Sequence, residues 1–417
     1  MKRELHWNYK DVFRAARFGF SAKKMWTMFL GILIGTLLYS IFAYLGLLAS
    51  GLTLQEIWSE FRLIPFPWGI PLTLGGKILF CIGGILFVIT YFLFGTAVAK
   101  LTIQQLKGDE FYEVKRAIQH AFKSGKASVL APIVLIIVIA LILLGGVILG
   151  LLGKIPYLGE LILLLAAIPV IFTVFFLVYL IVAFFVSLFL APAVAGATRS
   201  DTFDTLFEIF STLNDENWRF IGYEALLYGV KTVAFTVFLY FTGRVFAIIY
   251  GVLSLPWLMG QKIVHLADAA LSYLPNLTFP NEWTFQWVSR ILELTRTDLI
   301  LYPPTTPSLP WPQAILGFLF GILLYLVIFT VLAYWGAMHW AGNTLIFAVL
   351  LKKKDDIDLL AEPKETEATP SPTPTPSSTA PETTKEEGEG GSEGDSGESK
   401  KPPEEDQTKQ DTGEAKP

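Results

Sequence analysis

The stretch VLAPIVLIIVIALILLGGVILGLL, residues 129–152, carries no charged side chain in twenty-four positions. About 20 apolar residues in a helix cross the ~30 Å hydrocarbon layer of a bilayer, so this segment reads as a spanning helix. Working outward, comparable runs occupy 25–49, 78–98 and 161–190, the last with Pro169 inside it. A fifth begins after Trp218 and Arg219 and stays apolar to Leu253, and a sixth fills 312–351. The expected fold is all-α, a polytopic membrane helix bundle of about six transmembrane helices with interfacial amphipathic helices around it.

The last two runs exceed a simple span, since 35 to 40 helical residues reach roughly 50–60 Å. Each should project beyond the lipid, tilt or break; a re-entrant pair in one of them is the alternative. Composition agrees with a lipid setting. Hydrophobic residues make up 53% of 417, charged residues only 16%, and Gly and Pro stay frequent at 34 and 24, as membrane helices tolerate. The formal charge of -4 conceals two parts: from Glu362 onward there are 6 Lys against 15 Asp and Glu, so the remainder is mildly basic.

Orientation follows from Lys and Arg in the flanks. The segments 1–24, 99–127, 191–217 and 352–354 hold seventeen, whereas 50–77, 153–160 and 254–311 hold six. The richer set belongs inside, which puts both ends in the cytoplasm and agrees with an even number of spans. Residues 1–24 are then a basic cytoplasmic segment without the short apolar core of a cleavable signal, 25–354 the bundle, and 254–311 an external region rich in Trp, Tyr and Pro. Residues 355–417, Pro/Ser/Thr/Glu-rich and acidic, read as a disordered cytoplasmic tail.

The loops carry helical patterns of their own. Residues 109–126 read as a basic amphipathic helix, with Phe111, Ile118 and Phe122 near one face and Lys115, Arg116 and Lys123 available to anionic phospholipid headgroups. Residues 200–213 repeat the plan with Phe203, Leu206, Phe207, Phe210 and Leu213, and Ser200 or Asp201 can cap the helix. Outside, 54–63, 257–274 and 283–294 read similarly. Aligning Phe111 with Phe203 suggests an internal duplication, with GTAVA at 95–99 answering APAVA at 191–195; the same pattern would also follow from the small residues that any such bend favours.

Chemistry is sparse. Cys81 is the single cysteine, and His6, His120, His265 and His339 lack metal-ligand spacing, so no metal or cofactor is expected. Gly394-Asp395-Ser396-Gly397 imitates a serine-protease nucleophile inside low-complexity sequence and has no partners there. Asn276 opens a glycosylation sequon that matters only in a glycosylating host. Close helix packing, or homo-oligomer contacts, are offered by Gly31 and Gly35, Gly146 and Gly150, and Gly317 and Gly321. The best functional pointers are ionisable residues inside a span. Lys231 lies 12 residues past Arg219, about 18 Å along a helix and near mid-membrane if the helix is continuous. Glu224, seven residues earlier, falls on nearly the same face and makes the pair a candidate polar site. His339 and Asn343, four apart, are a weaker candidate.

Several phrases resemble a family of uncharacterised bacterial multi-pass membrane proteins: AARFGFSAKKMWTMFLGILIG at 15–35, LTLQEIW at 52–58, GTAVAKLTIQQLKGDEFYEVKRA at 95–117, APAVAGATRSDTFDTLFEIFSTL at 191–213 and GNTLIFAVLLKKKDDIDL at 342–359. The resemblance implies a bacterial inner membrane and carries no activity or site residues. Three functions are then weighed. A non-enzymatic scaffold or assembly component would use the interfacial helices on lipid and the tail on a cytoplasmic protein partner. A transporter or permease would use the polar site around Lys231. A lipid-acting enzyme would need clustered carboxylates or histidines, which the sequence does not display. No nucleic-acid partner is expected.

Overall fold

The computed structural model describes residues 5–66, 70–198, 200–274, 282–295 and 310–361. Residues 362–417 of the tail, the Asn276 sequon, the Gly394–Gly397 motif and parts of 254–311 lie outside the described residues, whereas Asp355, expected to open the tail, is the last residue of the helix Trp311–Asp355. Among the described residues, a 3-10 turn, Tyr9–Arg14, leads into twelve helices: α1 (Ala15–Gly19), α2 (Ala22–Ala49), α3 (Leu54–Phe61), α4 (Leu74–Leu106), α5 (Val114–Ser124), α6 (Lys126–Leu152), α7 (Leu158–Ala197), α8 (Thr202–Asp215), α9 (Asn217–Leu253), α10 (Gln261–Leu271), α11 (Glu282–Thr295) and α12 (Trp311–Asp355). No strand occurs among the described residues, and six helices, α2, α4, α6, α7, α9 and α12, are long and apolar enough to cross a membrane. The protein is an all-α, multi-pass membrane bundle.

Both overlong runs are single helices, so the re-entrant alternative falls away. α12 has 45 residues, about 68 Å of helix, and forms the axis on which α1, α2, α4, α7, α9 and α10 pack. Every residue from Ala341 to Leu351 is buried. Small residues make that possible, since Leu227 of α9 seats on Gly342 and Trp340 lies against Gly95 of α4. One core, at the end where the N-terminal turn gathers, joins Val12, Ala15, Val194, Ile209, Phe220 and Phe347. A second, further along α12, joins Met28, Ile32, Phe94, Ala333 and Trp340.

The α6–α7 hairpin contrasts with these cores. Beyond Leu135 on α6 nothing is buried, nor before Leu180 on α7 apart from Gly159 at its start. Ile137, Leu141, Leu164, Ile168 and Phe172 are all exposed. Helices apolar on every side without protein around them require lipid.

The small-residue pairs divide the same way. Gly31 and Gly35 receive Phe94 and Phe87 of α4, and Gly317 and Gly321 receive Ala269 and Tyr273. Gly146 and Gly150 face open space.

The interfacial helices form, with shifted limits. Gly108, at φ +96°, turns the chain out of α4, and the Asp109 carboxylate accepts from Phe111 N–H. The basic helix expected at 109–126 therefore starts only at Val114, and Phe111 stands outside it, 90% exposed. Its inner face is not phenylalanine but Ala117 and Ala121, packed on Ala97 and Leu101 of α4. α8 is capped by Asp201, whose carboxylate accepts from Asp204 N–H at 2.8 Å. The helix expected at 257–274 begins at Gln261, after a turn ended by Gly260 at φ +55°. α3 opens with a reciprocal cap between Thr53 and Glu56, and the Thr53 N–H and hydroxyl hold the Glu56 carboxyl below its ordinary range.

Packing at Gly95 is the most exacting of these contacts. A Cβ there would sit 2.5 Å from the Trp340 ring, whereas one at Gly84 meets nothing within 4 Å. Gly95→Ala is expected to destabilise the bundle by about 1–3 kcal/mol, the usual cost of overpacking, and to lower the melting temperature in detergent by several degrees. Gly84→Ala should leave it unchanged, and equal melting of the two variants would contradict the packing described.

Candidate functional site

α9 and α12 run antiparallel, and the steps of their contact bring Leu227 to Gly342, Lys231 to His339 and Phe235 to Trp335. Lys231 is 6% exposed. Its Nζ donates to His339 Nδ1 at 3.1 Å and lies 4.8 Å above the Trp335 ring and 5.8 Å from the Tyr228 ring. Asn343, one turn further along α12, brings Nδ2 to 3.2 Å from the same His339 nitrogen. Lys231 Nζ can only donate, so His339 Nδ1 is the acceptor in that contact. Phe189 of α7 meets the imidazole edge-on at 5.9 Å and Trp340 lies 4.5 Å from it.

The two candidates that the sequence offered separately are therefore one site. Lys231 from α9 and His339 with Asn343 from α12 are joined by hydrogen bonds. Glu224 stands seven residues before Lys231 on α9, and no hydrogen bond or ion pair between the two is found among the described residues. Glu224 Oε1 and Asn343 Oδ1 are buried acceptors without a partner.

α9 is continuous through Lys231, as the sequence reading of its position requires. α9 has 37 residues, with Lys231 about 21 Å from its start, and His339 stands about 24 Å from the end of α12. Because both helices exceed the hydrocarbon thickness, counting from Arg219 does not fix mid-membrane. The cluster sits where the two cores of the bundle meet along α12.

Comparison with protein-family models, with curated proteins and with solved structures finds no match. The chemistry of the site has to be read from its own groups. Among the described residues no set of three His, Cys, Asp or Glu side chains could hold a metal ion. Lys231 is engaged by an acceptor and by aromatic faces. What the arrangement does physically is tie α9 to α12 through a cation held in a largely apolar setting.

Sequence reasoning missed several members. Phe189 and Trp335 give no signal in the sequence beyond being aromatic. Lys24, counted as a flanking charge, is 2% exposed, bonded to Gln105 Oε1 at 2.8 Å and 4.8 Å from the Phe18 ring. Lys354, counted likewise, pairs with Glu208 of α8 at 2.8 Å. Arg244, in the other half of α9, stacks 4.8 Å from the Tyr240 ring with its Nε buried and unbonded.

Removing the cation should expose the coupling. Lys231→Met removes the donor to His339 Nδ1, and losing a hydrogen bond to a charged group costs roughly 1.5–3 kcal/mol. We expect a lower melting temperature in detergent micelles for Lys231→Met, and a loss in the Lys231→Met, His339→Leu double variant smaller than the sum of the two single losses. Additive losses in the two single variants would show that the groups are uncoupled.

Proposed function

We propose that this chain is a non-enzymatic scaffold or assembly component of a bacterial inner membrane, with both termini in the cytoplasm. The observation that carries the reading is the way its polar side chains are used. Lys231, His339, Lys24, Lys354 and the acids of α8 are spent on one another or on neighbouring helices, which builds a rigid platform. The groups that face outward at α5 and α8 are suited to contact. Phe111 and Phe122 flank the exposed Lys115, Arg116 and Lys123 of α5, a pattern suited to anionic phospholipid headgroups.

α8 differs from α5 in sign, with Asp201, Asp204, Glu208, Asp215 and Glu216 and no basic residue among them. Asp201 and Asp204 cap each other, Glu208 binds Lys354, Asp215 accepts from Ser211, and Glu216 holds Arg219. Its exposed Phe203 and Phe207, 74% and 80% accessible, are a contact surface of aromatic character. A cytoplasmic protein partner for the tail and a homo-oligomer through the open Gly146 and Gly150 face belong to the same reading.

A transporter is the second reading, favoured by the unpartnered acceptors of Glu224 and Asn343 beside Lys231. The two diverge in experiment. Photocross-linkers at Phe203, Phe207 and Ser371 of the full chain in its native membrane should yield a discrete protein adduct. Saturable solute flux in proteoliposomes that disappears in Lys231→Met, with no adduct at any position, would replace the scaffold by the transporter. In a Cys81→Ser background, Lys123→Cys should label only from the cytoplasmic side and Tyr157→Cys only from outside; the reverse result would invert the proposed orientation.

A further inference from the structure

Four contacts set one level across the bundle: Met28 against Gly336, Trp340 against Gly95, the Thr96 hydroxyl on Ser128, and Lys231 on His339. Charges that bound the spans gather just there. Lys24 stands one turn before Met28, Lys126 two residues before Ser128, and Lys100 five after Gly95. Such a ring of lysines marks one edge of the hydrocarbon. The opposite edge is marked by Lys77 in the first turn of α4, 18 residues before Gly95 and so about 27 Å away.

Arg244 falls between these edges. α9 continues unbroken from Lys231 past Phe235, which meets Trp335, and Phe238, which meets Tyr334, and reaches Arg244 after 13 residues, about 20 Å. Helical side chains incline towards the N-terminus of their helix. Accordingly the guanidinium carbon lies 4.8 Å from the centre of the Tyr240 ring, one turn nearer Lys231. The charge is held about 13 Å from either edge, too deep for a headgroup phosphate to meet it. Among the described residues no hydrogen bond or ion pair reaches it, and Nε is buried without an acceptor. Arginine stays charged, and a charge in hydrocarbon without a counter-charge is costly. On the same face of α9, Val237, Phe241 and Ile248 are 50%, 63% and 65% exposed, an apolar stripe with Arg244 in its middle.

We propose that this face of α9 receives a transmembrane helix of another membrane protein that carries an Asp or Glu near mid-membrane. The carboxylate accepts the forked hydrogen bonds of the Arg244 guanidinium, and the apolar stripe packs against the rest of the incoming helix. A second copy of the chain does not supply that group. The acids within its six spanning helices are Glu160, Glu224 and Asp355, all towards helix ends and away from the level of Arg244. The inference deepens the scaffold reading, on which it rests for the existence of a partner, by giving that partner its chemistry.

The full chain, with Cys81→Ser and a donor dye on Ser254→Cys, is reconstituted in phosphatidylcholine vesicles. Energy transfer is measured to acceptor-labelled Leu/Ala transmembrane peptides whose central residue is Glu, Gln or Lys. The Glu peptide should associate about tenfold more tightly than the Gln peptide. Arg244→Gln should abolish that preference, and Arg244→Glu should transfer it to the Lys peptide, an exchange that a purely structural role for Arg244 does not produce. Equal transfer to the Glu and Gln peptides, or an unchanged preference in Arg244→Gln, would overturn the proposal. Loss of the preference on adding phosphatidylglycerol would assign Arg244 to lipid phosphate, and transfer between two labelled copies that Arg244→Gln removes would assign it to a second copy; either result overturns the proposal as well. If the preference is absent while adducts still form at Phe203 and Phe207 in the native membrane, this inference fails and the scaffold reading stands.

Discussion

The length of α12 governs the rest of the molecule. A bilayer accommodates about 20 residues of helix, and α12 has 45. Its excess is apolar, so it can neither stand in water nor be absorbed by lipid. The protein resolves this by wrapping the surplus in other helices. The ends of α4 and α7, the N-terminal turn with α1, and parts of α8 and α9 enclose Ala333–Leu351 in a core that resembles the interior of a soluble domain. Such a core tolerates little side-chain volume, which accounts for the runs Gly95–Ala99 and Ala191–Gly196 where these helices meet. The small residues, which the sequence offered as a mark of duplication or of a bend, are here the packing surface itself.

That division explains what could be read from sequence. Spans are visible because lipid imposes a one-dimensional rule on each helix separately, and the capping of α8 by Asp201 is visible because it acts over three residues. The α9–α12 site was half visible. Lys231 with Glu224 and His339 with Asn343 each stand out as polar residues in apolar sequence, but Lys231 and His339 are 108 positions apart. Nothing local specifies that antiparallel helices place them on one level. Phe189 and Trp335, which enclose the pair, are hidden among other aromatics for the same reason.

The likeness of the two interfacial helices was legible in outline and misleading in charge. α5 and α8 both follow a span and precede another, with aromatic residues in register. Yet α5 turns Ala117 and Ala121 inward and leaves its cations exposed, whereas α8 turns Leu206 and Ile209 inward and spends its acids on caps and ion pairs. Hydrophobic pattern fixes which face of such a helix is buried. What the opposite face does depends on whether neighbouring helices supply partners for its charges, and only tertiary structure decides that.

The same consideration bears on the buried cations. A lysine in an apolar setting can be a moving part or a fixed one, and the distinction lies in what surrounds it. Around Lys231 the structure places an acceptor nitrogen at hydrogen-bond distance and two aromatic rings, and around Lys24 an amide oxygen and one ring. Each cation bridges two helices, α9 to α12 in one case and α2 to α4 in the other. Transport would require at least one of these contacts to be exchanged for a solute during a cycle, at the cost of exposing a cation to apolar surroundings while the helices part. Holding the contacts permanently involves no such penalty.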